Sequence, residues 1–315
     1  MCVNLKISDL LIIFKLVKVE FVKRFTDERR DMKLLELTSD IVFKAFMMSK
    51  NTNRYKAKLI NLITGIPEID LMNATYESNE LAIANKSDKV YKTDIIVKVN
   101  KNIISIEMNK NYYQGLFIKN ATYANKLESE QFGSGDNYLN YSKIIQINID
   151  NFHKFKGNKL LYKFTMREVD TNELENNLLE SYHIDLTYLN RICYTECKNE
   201  LERFCFMFKD NIKDIEGEIK MDDIMDEAYE ELERISSDKN IIGLYDKEKI
   251  EQKIMNTRLL DAELKGKEEG KKEGKKEGIQ QRNIEIARNM LKKDININDI
   301  IEITGLTKDQ IEELK

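Results

Sequence analysis

Two runs of residues rich in β-branched side chains, 90–99 and 102–109, flank the turn candidate Asn100-Lys101. β-branched residues favour strands, and a two-residue turn is a common connection between antiparallel strands. The sequence therefore predicts a hairpin in which Val99 pairs with Asn102. This register fixes which side chains of the two strands face each other.

In this register Asp94 lies opposite Glu107, and Lys92 lies opposite Asn109. Because side chains alternate along a strand, we expect all four on one face of the hairpin. Two facing carboxylates repel each other. A Mg²⁺ ion between them would remove the repulsion, because Mg²⁺ prefers oxygen ligands. The pattern also fits an exposed strand face with incidental acids.

The segments around the hairpin predict an α/β fold. Ser39 or Asp40 can cap a first helix that ends near Met48. Gly65 and Pro67 end a second helix at 54–63. The further predicted elements are a strand at 69–77, a helix at 112–132, strands at 143–149, 159–169 and 182–189, and mostly helix over 194–265. The resulting order, α-β-β-β-α-β, is that of the restriction-endonuclease-like core.

The chain resembles the PD-(D/E)XK nuclease family transposases, also called the Rpn family of recombination-promoting nucleases. The motifs that carry the resemblance are Ser39-Asp40-Ile-Val-Phe43-Lys44-Ala-Phe46, Thr93-Asp94, Ile106-Glu107-Met-Asn109, Lys119-Asn120-Ala-Thr-Tyr123, Gly135-x-x-Tyr138 and Ile145-Gln-Ile-Asn148. The resemblance implies a Mg²⁺-dependent DNA endonuclease linked to mobile elements or recombination.

The same resemblance implies that Asp94 and Glu107 are metal ligands. Asp40 is implied as a third, water-mediated ligand or as a helix cap. Asn109 stands where the family usually has Gln and the wider superfamily has Lys. An amide can hold a water molecule by hydrogen bonds, but it supplies no charge. We therefore hypothesise that Lys92, on the same hairpin face, is the catalytic or phosphate-contacting lysine.

Four further residues are expected to contact DNA: Lys44, Lys110, Lys119 and Tyr123. Lys119 stands where the family often has arginine, so it lacks the two-pronged grip of a guanidinium on phosphate. Lys110 points to the other strand face in the predicted register. Tyr123 fits a buried core position as well as a DNA contact.

The chain is expected to divide into a poorly attached extension (1–31), a nuclease-like domain (32–192), a helical region (193–265), a charged Gly-Lys-Glu linker or helix (266–278) and a small helical tail (279–315). The tail resembles a helix–turn–helix. Asp309, Glu312 and Glu313 make its last helix acidic, so packing or homo-oligomerisation is favoured over DNA reading.

The net charge of −4 neither favours nor excludes a DNA-binding protein. The four cysteines form no CxxC motif, which predicts reduced thiols in a cytoplasmic protein. No apolar run reaches the roughly 20 residues needed to span a bilayer. The alternative to an active nuclease is a catalytically weakened protein of the same fold that binds nucleic acid or a protein.

Overall fold

The computed structural model describes residues 33–78, 94–133 and 135–314. The predicted extension at 1–31 and Lys92 lie outside the described residues. The chain forms two compact units, residues 1–246 and 247–315, and each is described by itself.

The first unit contains a sheet and the helices that surround it. Its strands are β1 (Thr75–Glu77), β2 (Ile95–Val99), β3 (Asn102–Asn109), β4 (Lys143–Asp150), β5 (Leu161–Thr165) and β6 (Leu179–Asp185). Its helices are α1 (Asp40–Met48), α2 (Asn53–Thr64), α3 (Glu68–Met72), α4 (Leu116–Ser129), α5 (Glu200–Cys205), α6 (Glu216–Ile219), α7 (Asp223–Ser237) and the start of α8 (Lys239–Leu291).

The six strands form one mixed sheet in the order β1-β2-β3-β4-β6-β5. Strands β2 and β3 are antiparallel, with Val99 opposite Asn102 and Ile95 opposite Ile106, which confirms the predicted hairpin register. Strands β3, β4 and β6 run parallel, so their carboxyl ends meet at one edge. The predicted α/β class and the α-β-β-β-α-β order are confirmed.

The two faces of the sheet differ in chemistry because side chains alternate along each strand. One face carries the buried isoleucines and valines of β2, β3 and β4, and it belongs to the main hydrophobic cluster together with α1, α2 and α7. The other face carries a row of buried polar residues on β3 and β4, among them Ser105, Glu107, Asn109, Gln146, Asn148 and Asp150. Helix α4 packs on this polar face, where Gln146 donates to the carbonyl of Asn120 at 2.7 Å.

Three sequence-predicted strands differ from the observed elements. The strand predicted at 69–77 was wrong over most of its length, because Glu68–Met72 is helical and only Thr75–Glu77 is extended. Pro67 fixes a backbone angle suited to a helix start, and the acids in the first turn complement the helix dipole. The strand predicted at 159–169 is limited to β5.

The strand predicted at 182–189 begins earlier, at Leu179, and ends at Asp185. It ends there because the Asp185 side chain accepts a hydrogen bond from the N–H of Thr187 at 3.0 Å. This contact caps a 3₁₀ helix, Leu186–Arg191, which replaces the last predicted strand residues.

The second unit contains the rest of α8, followed by α9 (Ile297–Thr304) and α10 (Lys308–Glu312). A small core of Ala287, Ile300, Leu306 and Ile311 joins the three helices. Gly305 adopts a positive φ of 67° at the end of α9. Thr307 and Gln310 form a capping box at the start of α10. Residues 266–278 are part of helix α8.

Helices in the described ranges are too short or too polar to cross a lipid bilayer.

Lys56 holds the end of α1, the helix that carries Asp40 and Lys44. Its side chain is buried, and its ammonium donates to the carbonyl oxygens of Met47 at 2.8 Å and Ser49 at 2.9 Å. These carbonyls lie at a helix end, where backbone acceptors lack intrahelical partners. Burial lowers the pKa of Lys56 to about 8.

We predict that Lys56→Met destabilises the protein by about 1–3 kcal/mol, because it leaves two carbonyl groups without their donor. Urea unfolding measures the change. Lys98→Met is the matched control, because the Lys98 side chain is 55% exposed. Equal destabilisation by both substitutions would contradict the assigned role of Lys56.

Candidate active site

Asp94 and Glu107 come together where the β2–β3 hairpin opens. Asp94 is the residue before β2, and its N–H donates to Oε1 of Glu107 at 3.3 Å. The N–H of Met108 in turn donates to Oδ2 of Asp94 at 3.0 Å. The hairpin register therefore places the two carboxylates side by side, as the sequence predicts.

Burial changes the acidity of both groups. The Glu107 side chain is fully buried. Burial, followed by the charge of Asp94, raises the pKa of Glu107 to about 7. Burial, followed by the charge of Asp40, raises the pKa of Asp94 to about 6. Both carboxylates are thus poised to exchange protons, or to exchange a proton for a cation, near neutral pH.

Lys44 connects Asp94 to helix α1. Its ammonium lies 3.4 Å from Oδ1 of Asp94 and 2.9 Å from Oδ2 of Asp40. Asp40 and Lys44 are one helical turn apart, which brings both side chains to the same face of α1. The structure therefore brings Asp40 to the site, where it faces a lysine as well as Asp94.

Lys119 is the corresponding cation for Glu107. It projects from α4, and its ammonium lies 3.3 Å from Oε2 of Glu107. Burial lowers the pKa of the Lys119 ammonium. The nearby Glu107 and Tyr123 raise it by more, so the pKa of Lys119 lies above its ordinary value. The ammonium also lies 5.1 Å from the ring centre of Tyr123. The Lys119 side chain is one-third exposed, so its ammonium lies between the buried Glu107 carboxylate and the solvent.

Asn109 points to a different partner. It is buried, and its Nδ2 donates to Oδ1 of Asp150 at 2.8 Å. Oδ2 of Asp150 lies 2.7 Å from Nδ1 of His183. The amide donor of Asn109 therefore serves a buried Asn–Asp–His chain along the carboxyl ends of β3, β4 and β6.

Sequence reasoning missed Asp150 and His183, and it assigned no site role to the amides around them. Asn120 donates to Oδ1 of Asn148 at 2.7 Å, and Nδ2 of Asn148 lies 3.4 Å from Nε2 of His183. The signal was the period of two in β4, where polar residues at 146, 148 and 150 alternate with isoleucines. Such alternation places every polar side chain on one face.

Of the remaining predicted site residues, the structure describes Lys110 and Tyr123. Lys110 forms an ion pair with Glu36 at 2.7 Å. Lys92 lies outside the described residues. Tyr123 is half-buried and borders Lys119.

We predict that Glu107→Gln stabilises the metal-free protein by about 1 kcal/mol at pH 8. The pKa of Glu107 is 4.5 in the unfolded chain, and burial raises it to about 7 in the folded protein. Between these two pKa values the folded state binds more protons than the unfolded state. The stability of the folded protein therefore falls as the pH rises from about 4.5 to about 7. Glutamine avoids this loss. Urea unfolding in EDTA between pH 5 and pH 8 measures the difference.

The advantage of Glu107→Gln should shrink towards pH 5. Glu77→Gln is the control, because the Glu77 side chain is 44% exposed. A Glu107→Gln protein that is less stable than the parent at pH 8 would contradict the assigned cost of the buried charge.

Comparison with known families covers both units. Residues 37–271 match the model described as PD-(D/E)XK nuclease family transposase. Residues 280–315 match the model described as Rpn/YhgA-like nuclease family, C-terminal HTH domain. No curated protein and no solved structure matches the chain. The first match spans the sheet and both central carboxylates, so the chain belongs to the PD-(D/E)XK nuclease family transposases and carries the C-terminal helix–turn–helix domain of the Rpn/YhgA-like nucleases.

Proposed function

We propose that the chain is a metal-dependent DNA endonuclease that hydrolyses phosphodiester bonds at Asp94 and Glu107. The observation that carries the proposal is the buried carboxylate pair with a lysine beside each member. Buried carboxylates with raised pKa values and specific charge partners are typical of catalytic sites. Family membership supports a nuclease reaction.

The donor chemistry fits Mg²⁺. The described ranges contain no group of three or more His, Cys, Asp or Glu side chains placed to hold a metal. Catalytic zinc usually takes three protein ligands, whereas Mg²⁺ is commonly held by one or two carboxylates with water and substrate phosphate. Asp94 and Glu107 would hold the ion. When bound, such an ion polarises a phosphodiester and makes water a better nucleophile near neutral pH.

The two lysines supply fixed positive charge to the same site. In the described structure, Lys44 and Lys119 neutralise part of the carboxylate charge. Lys119 is the more exposed of the two, so its ammonium is well placed to donate to a phosphate oxygen that approaches from solvent. An ammonium at this point stabilises the negative charge that grows on the phosphate during attack. We assign Lys119 this role, with Lys92 as the alternative lysine.

Asn109 supports a second candidate function. Its amide donates to Asp150, and no charge stands at the position that is lysine in the wider superfamily. This arrangement favours a nuclease-fold protein that binds DNA with weakened or lost catalysis. Such a protein would retard DNA in a gel without cutting it.

We further propose that the tail contributes DNA binding, which the HTH match supports. Arg288, Lys292 and Lys293 are exposed at the end of α8, and cations there suit phosphate contacts. Oligomerisation through the C-terminal helices stays a proposal, as does a role in the movement of mobile elements. A cytoplasmic setting also stays a proposal.

We predict that the purified full chain nicks supercoiled plasmid with Mg²⁺ and not with EDTA. Asp94→Ala and Glu107→Ala should each slow nicking by about 100-fold or more, because each removes a ligand of the metal ion that would stabilise the developing negative charge. Lys119→Ala should slow it by about tenfold or more. Agarose gel electrophoresis over a time course measures the rates.

Glu77→Ala and Lys98→Ala are the matched controls, since these side chains form an exposed ion pair on β1 and β2. Lys92→Ala separates the two candidate lysines: a parent-like rate removes Lys92 from the mechanism. A gel shift without nicking in any divalent metal would refute the endonuclease and favour the binding protein.

A further inference from the structure

Five aromatic side chains form a connected patch, here called the aromatic surface: Tyr112, Phe117, Phe152, Phe155 and Phe164. The rings of Phe117 and Phe155 are stacked, with centroids 5.5 Å apart and planes within 3°. Phe164 lies 4.8 Å from Phe155, and Tyr112 lies 5.5 Å from Phe152. The patch comes from the loop before α4, the start of α4, the loop after β4, and β5.

The aromatic surface lies over His183 on the polar side of the sheet. The His183 ring lies 5.2 Å from Phe117, 4.9 Å from Phe155 and 5.6 Å from Phe164. None of the five aromatic residues belongs to the main hydrophobic cluster among the described residues. The surface is therefore separate from the core that holds the unit together.

The outer rings are open to solvent. Tyr112 is 42% exposed and Phe164 is 43% exposed. The other three aromatic residues are half-buried. Exposed apolar patches on soluble proteins commonly mark binding sites. Planar rings suit a planar partner, because offset and edge-to-face contacts between aromatic groups are favourable.

The charge around the aromatic surface points to a polyanion. The loop at 151–160 carries Lys154, Lys156 and Lys159, all exposed, and it contains no acidic residue. The Lys154 ammonium lies 4.3 Å from the ring centre of Tyr112 and donates to its hydroxyl at 3.0 Å. Rings beside exposed lysines are the combination used to bind single-stranded nucleic acid.

The aromatic surface lies close to the proposed catalytic carboxylates. Glu107, Asn148 and His183 are paired in one row across β3, β4 and β6. Neighbouring strands lie about 4.8 Å apart, so the backbones of Glu107 and His183 are separated by about 10 Å. Stacked nucleotides of one DNA strand rise about 3.4 Å each, so at most about three nucleotides bridge this distance.

We propose that the aromatic surface binds unpaired bases of the DNA strand beside the phosphodiester that is cut. Bases inside a duplex are paired and stacked on each other, so their faces are not available to protein rings. The preferred substrate would then be DNA with a single-stranded segment, such as a tail, flap or gap. This inference rests on the proposed endonuclease function and names its substrate class.

Binding of the full chain in EDTA tests the inference without cleavage. The probes are a blunt duplex and a duplex with a short single-stranded tail that contains 2-aminopurine, whose fluorescence falls on stacking. We expect the parent to prefer the tailed duplex and to quench the probe. Phe164→Leu and Tyr112→Leu should each weaken tail binding by about tenfold, with little change for the blunt duplex.

Tyr138→Leu is the matched control, because Tyr138 is 79% exposed and precedes the opposite end of β4. Thermal melting identifies any variant that fails to fold, and the loop residue Tyr112 provides a second test if Phe164→Leu fails. Equal parent affinity for the two duplexes would overturn the inference. So would parent-like tail binding by folded ring variants, the result expected if the surface docks a protein instead.

The two proposals fail in different ways. Mg²⁺-dependent nicking without any preference for tails would refute the substrate class and leave the endonuclease intact. Ring-dependent tail binding without cleavage in any divalent metal would refute the endonuclease and leave the binding surface intact.

Discussion

The contact between Asp94 and Glu107 is the constraint on which the rest of the site depends. The hairpin register determines this contact, because the pairing of β2 with β3 sets which residues of the two strands lie opposite each other. Burial makes two neighbouring negative charges costly, and their raised pKa values show this cost. Lys44 and Lys119 offset part of it from two different helices. The ion pairs of Lys44 with Asp94 and of Lys119 with Glu107 therefore link α1 and α4 to the hairpin.

The polar face of the sheet extends this arrangement across β4 and β6. Buried polar groups are costly unless hydrogen bonds replace their lost hydration. Asn109, Asp150 and His183 meet that requirement as a chain of side-chain hydrogen bonds. These hydrogen bonds occupy the amide donor of Asn109. Among the described residues, positive charge beside the two carboxylates comes from Lys44 and Lys119 on the helices, and Lys119 is the more exposed of the two.

The hairpin was predictable from sequence because the residues that determine it are close together in the chain. β-branched runs, a two-residue turn and strict alternation determine which residues face each other. Helix α3 was missed because Ile69 and Leu71 resemble strand residues, while the decisive signals were Pro67 and the first-turn acids. Short apolar segments of this kind do not distinguish helix from strand by periodicity alone.

Contacts between distant segments were not predictable. Lys119 lies opposite Glu107 only because α4 crosses the polar face of the sheet. The hydrogen bond of Asn109 to Asp150 depends on the parallel register of β3 and β4, which no local pattern specifies. Lys44 was expected to contact DNA, but its position between Asp40 and Asp94 follows from the packing of α1.

Calorimetric titration of the metal-free full chain with Mn²⁺, as a probe of the proposed metal site, tests directly whether Asp94 and Glu107 hold a cation. We expect the parent to bind Mn²⁺ with an affinity that rises from pH 6 to pH 8, as protons leave Asp94 and Glu107. Glu107→Gln should lose about tenfold or more in affinity, and Glu77→Gln should match the parent. Equal Mn²⁺ binding by the parent and Glu107→Gln, or no binding by the parent, would contradict metal binding at Asp94 and Glu107.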